Sequence, residues 1–168
     1  AVTFHILGRY NDSAECFTRA ESIYKYLLDH QPENMVYMET LALICTDYAG
    51  LLYGTCRFAD AGNFYGFSEI LAEKIGALNP GSFEYFNVMS ALLNYRAKYV
   101  ELRTDLRMDA YARSFNYTRQ MLLMKPHDVG IKERMISCFY QWHLSFYVDW
   151  WFSFAADNIA SDLIGLFY

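Results

Sequence analysis

Apolar residues recur along this chain in steps of three and four. In the stretch Met35 to Cys56, the positions Met38, Leu41, Ala42, Cys45, Tyr48, Ala49, Leu52 and Cys56 keep that rhythm, which places them on one side of a helix. No segment alternates with period two for long, so the pattern predicts helices and essentially no sheet. The apolar positions fill well more than one narrow stripe per helix. Each helix must therefore pack against both of its neighbours, as in a stacked array.

Three prolines punctuate the pattern at Pro32, Pro80 and Pro126, spaced 48 and 46 residues apart. Even spacing of this kind is a signal of repeats. Two residues after each proline stands a good helix N-cap: Asn34, Ser82 and Asp128. Five residues before each is Leu27, Ile75 or Met121, and nine before is Ile23, Leu71 or Tyr117. Twelve before is always a small residue, Ala20, Ser68 or Ser114, which lets a neighbouring backbone come close. A further step of 46 would fall at 172, twelve residues beyond Ala160. The units are about 1–32, 33–80, 81–126 and 127–168, each a helical hairpin, in a single domain. First helices are predicted over 34–56, 82–104 and 128–148, and second helices over 12–30, 61–78, 108–124 and 152–167. The stretch 2–9 reads as the tail of one more first helix. Turn chemistry at Asn11-Asp12-Ser13, Asp60-Ala61-Gly62 and Asn79-Pro80-Gly81-Ser82 fits the breaks.

Composition narrows the class. The chain has 168 residues, 54% hydrophobic and 18% aromatic, with 20% charged, which excludes disorder, collagen and a simple coiled coil. Its net charge of −5 argues against general nucleic-acid affinity. The charge is uneven: residues 96–125 hold seven Lys/Arg against three Asp/Glu. Within that block Arg96, Arg103 and Arg107 form a candidate basic patch for an acidic peptide or a phosphate, or else a solvated face. The four cysteines form no CxxC pair. Dispersed in apolar stretches, they read as reduced core residues and favour a cytoplasmic setting. Asp47 and Asp149 interrupt the most apolar runs, and no membrane span or signal peptide is expected.

The first unit resembles the tetratricopeptide repeat. Phe4, Leu7-Gly8, Ala20, Tyr24 and Pro32 stand at that pattern's offsets, while Asn11 replaces its tyrosine and Leu27 one of its small residues. The later units keep the small residue and the proline, on longer helices. Long-helix arrays of this kind are similar in architecture and composition to the peptide-sensing domains of bacterial quorum-sensing regulators. The resemblance implies an all-α, right-handed α-solenoid of about four hairpins, with the first helices lining its concave side.

Chemical motifs are sparse. His5, His30, His127 and His143 stand at no metal-ligand spacing, and no phosphate loop or GxSxG is present. No catalytic residue, metal or cofactor is therefore expected. Asp47 is a carboxylate in an apolar helix, where burial would raise its pKa. Aligning the first helices on their prolines puts Glu39, Asn87 and Glu133 at one position. Thr46, Asn94 and Tyr140 share another, beside Asp47, Tyr95 and Gln141, and Lys98 follows four residues after Asn94. Offsets of seven and eleven keep these residues on one polar face. That face is either a solvated stripe or, as the resemblance implies, a groove. Asparagine amides there match the N–H and C=O of an extended peptide.

The leading expectation is a non-enzymatic scaffold or sensor module binding a protein or peptide along Glu39, Asp47, Asn87, Asn94, Tyr95, Lys98, Tyr140 and Gln141. A second is a small-molecule sensor or enzyme with an aromatic pocket near Trp142 and Trp150. A third is an engineered repeat protein with no natural ligand, against which seven methionines and four cysteines weigh. The apolar end at Ile164-Gly165-Leu166-Phe167-Tyr168 lacks the polar outer face of a terminal repeat, which leaves three readings: an excised fragment, a homodimer through the C-terminal hairpin, or an end that closes a ligand pocket.

Overall fold

The computed structural model describes residues 10–100 and 104–145. They form six helices: α1 (Tyr10–His30), α2 (Met35–Gly54), α3 (Phe58–Leu78), α4 (Phe83–Tyr95), α5 (Thr104–Met124) and α6 over 129–145. A single π-helical turn, Arg96–Val100, extends α4. Among the described residues there is no strand. The helices expected over 2–9 and 152–167 lie outside the described residues, as do Arg103, Trp150 and the apolar C-terminal end.

The post-proline residues start the first helices as their chemistry requires. The Asn34 side chain accepts from the Tyr37 N–H at 3.2 Å, Ser82 from the Tyr85 N–H at 3.0 Å and Asp128 from the Ile131 N–H at 3.0 Å. Each satisfies a backbone donor left without an intrahelical partner. The end of α2 is closed differently. The Arg57 N–H donates to the Leu52 carbonyl and the Cys56 N–H to Tyr53, a Schellman pattern. It needs a left-handed residue, and Cys56 supplies it at φ 61°. The expected first helix over 82–104 is overrun at its end, since α5 begins at Thr104 rather than 108.

α2 packs on α1, α3 and α4, and α4 packs on α3 and α5. The core follows that order as three clusters. The first joins α2, α3 and α4 through Leu41, Cys45, Leu71, Ile75, Val88 and Leu92. The second gathers Phe17, Tyr48, Leu52, Ala61 and Tyr95. The third joins α4 and its π turn to α5 through Leu93, Ala97, Ala110 and Tyr111. The rhythmic positions on α2 are all buried, and Cys56, just beyond its end, is exposed.

The small residues that precede the prolines bind as well as fit. Ser68 on α3 donates to the Ala42 carbonyl of α2 at 2.8 Å. Ser114 on α5 donates to the Ser90 carbonyl of α4, also at 2.8 Å. Ala42 and Ser90 are 48 residues apart, so the same stitch recurs in both hairpins. Thr46 bonds to Ser68, and Thr118 to Ser90, closing each set among fully or nearly fully buried hydroxyls. At Gly76 a side chain would bring Cβ within 2.8 Å of the Tyr85 ring, so this glycine lets α3 and α4 meet.

By length and composition α2 is apolar enough to cross a membrane. Half of its most apolar window is buried against the other helices.

Candidate functional site

The first helices α2, α4 and α6 share a cavity of about 490 Å³. α2 contributes Thr46, Asp47 and Gly50 to its wall. α4 and its π turn contribute Asn94, Tyr95, Lys98 and Tyr99, and α6 contributes Arg134, Ser137 and Gln141. Offsets of three, four and seven put each helix's contribution on one face.

One end of this groove is tied by a chain of polar contacts across three helices. Asn87 Nδ2 on α4 donates to Glu39 Oε1 on α2 at 2.5 Å, and Arg134 Nη1 on α6 donates to Asn87 Oδ1. Asn87 is buried, so its amide uses both its donor and its acceptor between two charged partners.

Further along, the lining is left open. Among the described residues no hydrogen bond or ion pair engages the Asp47 carboxylate or the Gln141 amide. Asp47 is exposed at the groove wall, with the packed helices crowding one side of it. Burial on that side pushes its pKa above the ordinary 3.8, and Arg134 in the same cavity offsets part of the rise. Lys98 lies 5.0 Å above the Tyr99 ring, an attraction that aims its ammonium without consuming its donors. Asn94 makes a long 3.7 Å contact to the Cys138 sulfur, a weak acceptor, and among the described residues no hydrogen bond engages its carbonyl oxygen.

A second cavity of about 440 Å³ adjoins the first. Its walls are Tyr53, Phe58, Ala61, Gly62, Tyr65, Tyr95 and Tyr99, so Tyr95 and Tyr99 belong to both. Their rings lie 5.0 Å apart, as do those of Tyr53 and Tyr99 and of Tyr65 and Tyr95. Burial raises the Tyr95 hydroxyl to about 12, and burial with the Glu69 carboxylate raises that of Tyr65. These phenols are neutral at physiological pH.

Comparison with protein-family models, with curated proteins and with solved structures finds no match to this chain.

Of the eight groove residues named from the sequence, Asp47, Asn94, Tyr95, Lys98 and Gln141 line the cavity, and Glu39 and Asn87 form its tied end. Tyr140 does not line it and is 62% exposed. Arg134 carries no signal in the repeat alignment, since it stands one residue after Glu133, off the aligned column. Tyr53, Phe58, Tyr65 and Tyr99 also lie off that column. The four-residue step from Tyr95 to Tyr99 was their one visible signal.

The basic patch divides. Arg96 acts on Tyr65 and Arg107 on Tyr111. Trp142 packs beside Tyr111 in the third core cluster rather than in either cavity. Cys45 and Cys138 are buried core thiols, but Cys16 and Cys56 are exposed, against the expectation of four core cysteines. Both fall where the apolar rhythm ends or the helix outer face begins. Among the described residues no three His, Cys, Asp or Glu side chains converge on a point that could hold a metal ion.

Proposed function

We propose that this chain is a binding module of stacked helical hairpins, right-handed and of tetratricopeptide type, that holds an extended segment of a partner protein along α2, α4 and α6. It acts by complementarity in a preformed groove and performs no chemistry on its ligand. One observation carries the reading. Asp47, Asn94, Lys98 and Gln141, from three helices far apart in sequence, line one cavity with hydrogen-bonding capacity that the described residues leave largely unused. An extended main chain presents alternating donors and acceptors that would use it. The recurring serine-to-carbonyl stitches and the stepwise core support the stacked arrangement.

The test is a random dodecapeptide library panned on the purified protein. Selected peptides are then titrated against wild type, Asn94→Ala and Lys98→Ala by calorimetry. Each substitution is expected to weaken binding roughly tenfold, the scale of one lost charge-assisted or amide contact. Melting temperatures should stay within a degree or two of wild type. Affinities unchanged in both variants would count against the groove.

A further inference from the structure

Behind the groove wall, Asn94 begins a chain of polar groups that crosses three helices and ends on a backbone carbonyl. Its amide nitrogen lies 3.7 Å from the Cys138 sulfur on α6, and that sulfur lies 3.5 Å from the Ser114 hydroxyl on α5. Ser114 in turn reaches the Ser90 carbonyl on α4 at 2.8 Å. Cys138, Ser114 and Ser90 are fully buried. The protons along this chain can be assigned one at a time. A carbonyl only accepts, so the single Ser114 proton is committed to Ser90. The Thr118 proton is likewise committed to the Ser114 carbonyl at 2.9 Å. The Ser90 hydroxyl stands 2.7 Å from Thr118 and 3.2 Å from the Ser114 oxygen, and it donates over the shorter path. The Ser114 oxygen is thereby left to receive the Cys138 S–H. With its proton spent, the sulfur can only accept, and what it accepts is an N–H of Asn94. The opposite amide orientation would set the Asn94 oxygen against a sulfur with no proton to offer.

We infer that Cys138 is a positioning residue for the groove. It holds Asn94 with the amide nitrogen inward and the carbonyl oxygen toward the cavity, so the bound segment meets Asn94 with a main-chain N–H. This rests on the groove reading and deepens it, by fixing the sense of one contact. The chain is cooperative, because each donor in it is polarised by the bond it accepts, and this strengthens the long contact to sulfur. The repeat alignment carries the same pairing. Asn94 stands in the column of Thr46, and Cys138 in the column of Leu92. Thr46 is satisfied by the Ala42 carbonyl and the Ser68 hydroxyl, and Leu92 packs in the first core cluster. Where the groove column changes from a hydroxyl to an amide, the core column of the next unit changes from leucine to a thiol. An amide needs an inward partner that a leucine cannot supply.

The orientation is read first without any peptide, by NMR. The Asn94 side-chain N–H signals are assigned by their loss in Asn94→Ala, and their exchange with solvent is measured. Exchange is expected to be several-fold faster in Cys138→Ala than in wild type. Cys138→Ser, which keeps one donor and one acceptor, should restore the slow rate. Equal exchange in wild type and Cys138→Ala would overturn the positioning role. Circular dichroism melts confirm that the variants fold. Should Cys138→Ala melt early, Ser114→Ala gives the same reading, because it frees the thiol proton to turn toward Asn94 and releases the amide nitrogen.

The contact itself is read on peptides selected by the panning, with each main-chain nitrogen methylated in turn. One position is expected at which methylation weakens binding to wild type roughly tenfold and leaves binding to Asn94→Ala unchanged. Cys138→Ala should weaken the unmethylated peptide and add nothing to the loss in Asn94→Ala, while Cys138→Ser should bind it as wild type does. Suppose Cys138→Ala binds as tightly as wild type while Asn94→Ala does not, or no methylated position couples to Asn94. The proposal then falls and the groove stands. If no peptide is selected at all, the groove and the main-chain contact fall together, and the exchange rates alone decide whether Cys138 orients Asn94.

Discussion

Asp47 sits in the apolar helix α2, and the charge of Arg134 across the cavity offsets only part of the cost of its ionisation. Burial raises its folded pKa above the 3.8 of the unfolded group. The ionised form is therefore disfavoured in the folded state, and that penalty is fully present above the folded pKa. As pH falls through the folded pKa the penalty is relieved, and below 3.8 both states are protonated and it is gone. Asp47→Asn is accordingly expected to raise the urea midpoint at pH 7 and to leave it unchanged below pH 3.8. An equal gain at both pH values would show that ionisation is not the cause. The same variant should bind groove peptides more weakly, since it removes an open carboxylate.

Cys56 presents a second residue-scale case. A left-handed conformation costs an ordinary L-residue about 1 kcal/mol or more, and glycine very little. Cys56→Gly is expected to stabilise the protein by about 1 kcal/mol, read from denaturant midpoints at unchanged slope. The sequence places a glycine at Gly54, two residues too early to serve.

At the scale of elements, the helix starts were legible because they are set by neighbours in sequence. A proline that cannot continue a helix, followed by a residue whose side chain caps the next, needs no tertiary information. The stitch between paired helices was half legible. Spacing marked Ser68 and Ser114 as small, but their hydroxyl bonds to the facing backbone arise only once the hairpin closes.

Removing one such buried bond costs about 1 kcal/mol, whereas forcing bulk into the same contact costs about 1–3 kcal/mol or more through backbone displacement. Ser68→Ala is therefore expected to be mildly destabilising, as Ala20 at the equivalent position indicates. Ser68→Leu should be severely so. Equal losses for the two, by thermal melts, would refute a close helix approach there. The π turn was not legible, because Arg96–Val100 carries ordinary helix-forming residues and no local signal for an inserted one.

Across the whole described molecule, the Glu39–Asn87–Arg134 chain is the contact that spans three first helices. Asn87→Ala leaves Arg134 without its acceptor and Glu39 without its donor, each partly buried. The expected loss is about 1–3 kcal/mol, the range for unsatisfied buried polar groups. Glu39→Ala, which leaves Asn87 able to hold Arg134, should cost less. Should Asn87→Ala prove neutral, the chain of contacts is not holding α2, α4 and α6 together.

Local pattern sufficed for the class of fold, the hairpin breaks, the three caps and the face that carries Asp47, Asn94, Lys98 and Gln141. All of these follow from steric and hydrogen-bonding preferences within a few turns of chain. Tertiary structure alone decided that Arg134 would close one end of the groove, that Tyr140 would point away from it, and that five rings from three elements would meet in a second cleft. Those outcomes depend on how helices dozens of residues apart rotate and stack. A shift of one residue around a helix turns a side chain by about 100°, well beyond what a repeat spacing of 46 to 48 residues can resolve.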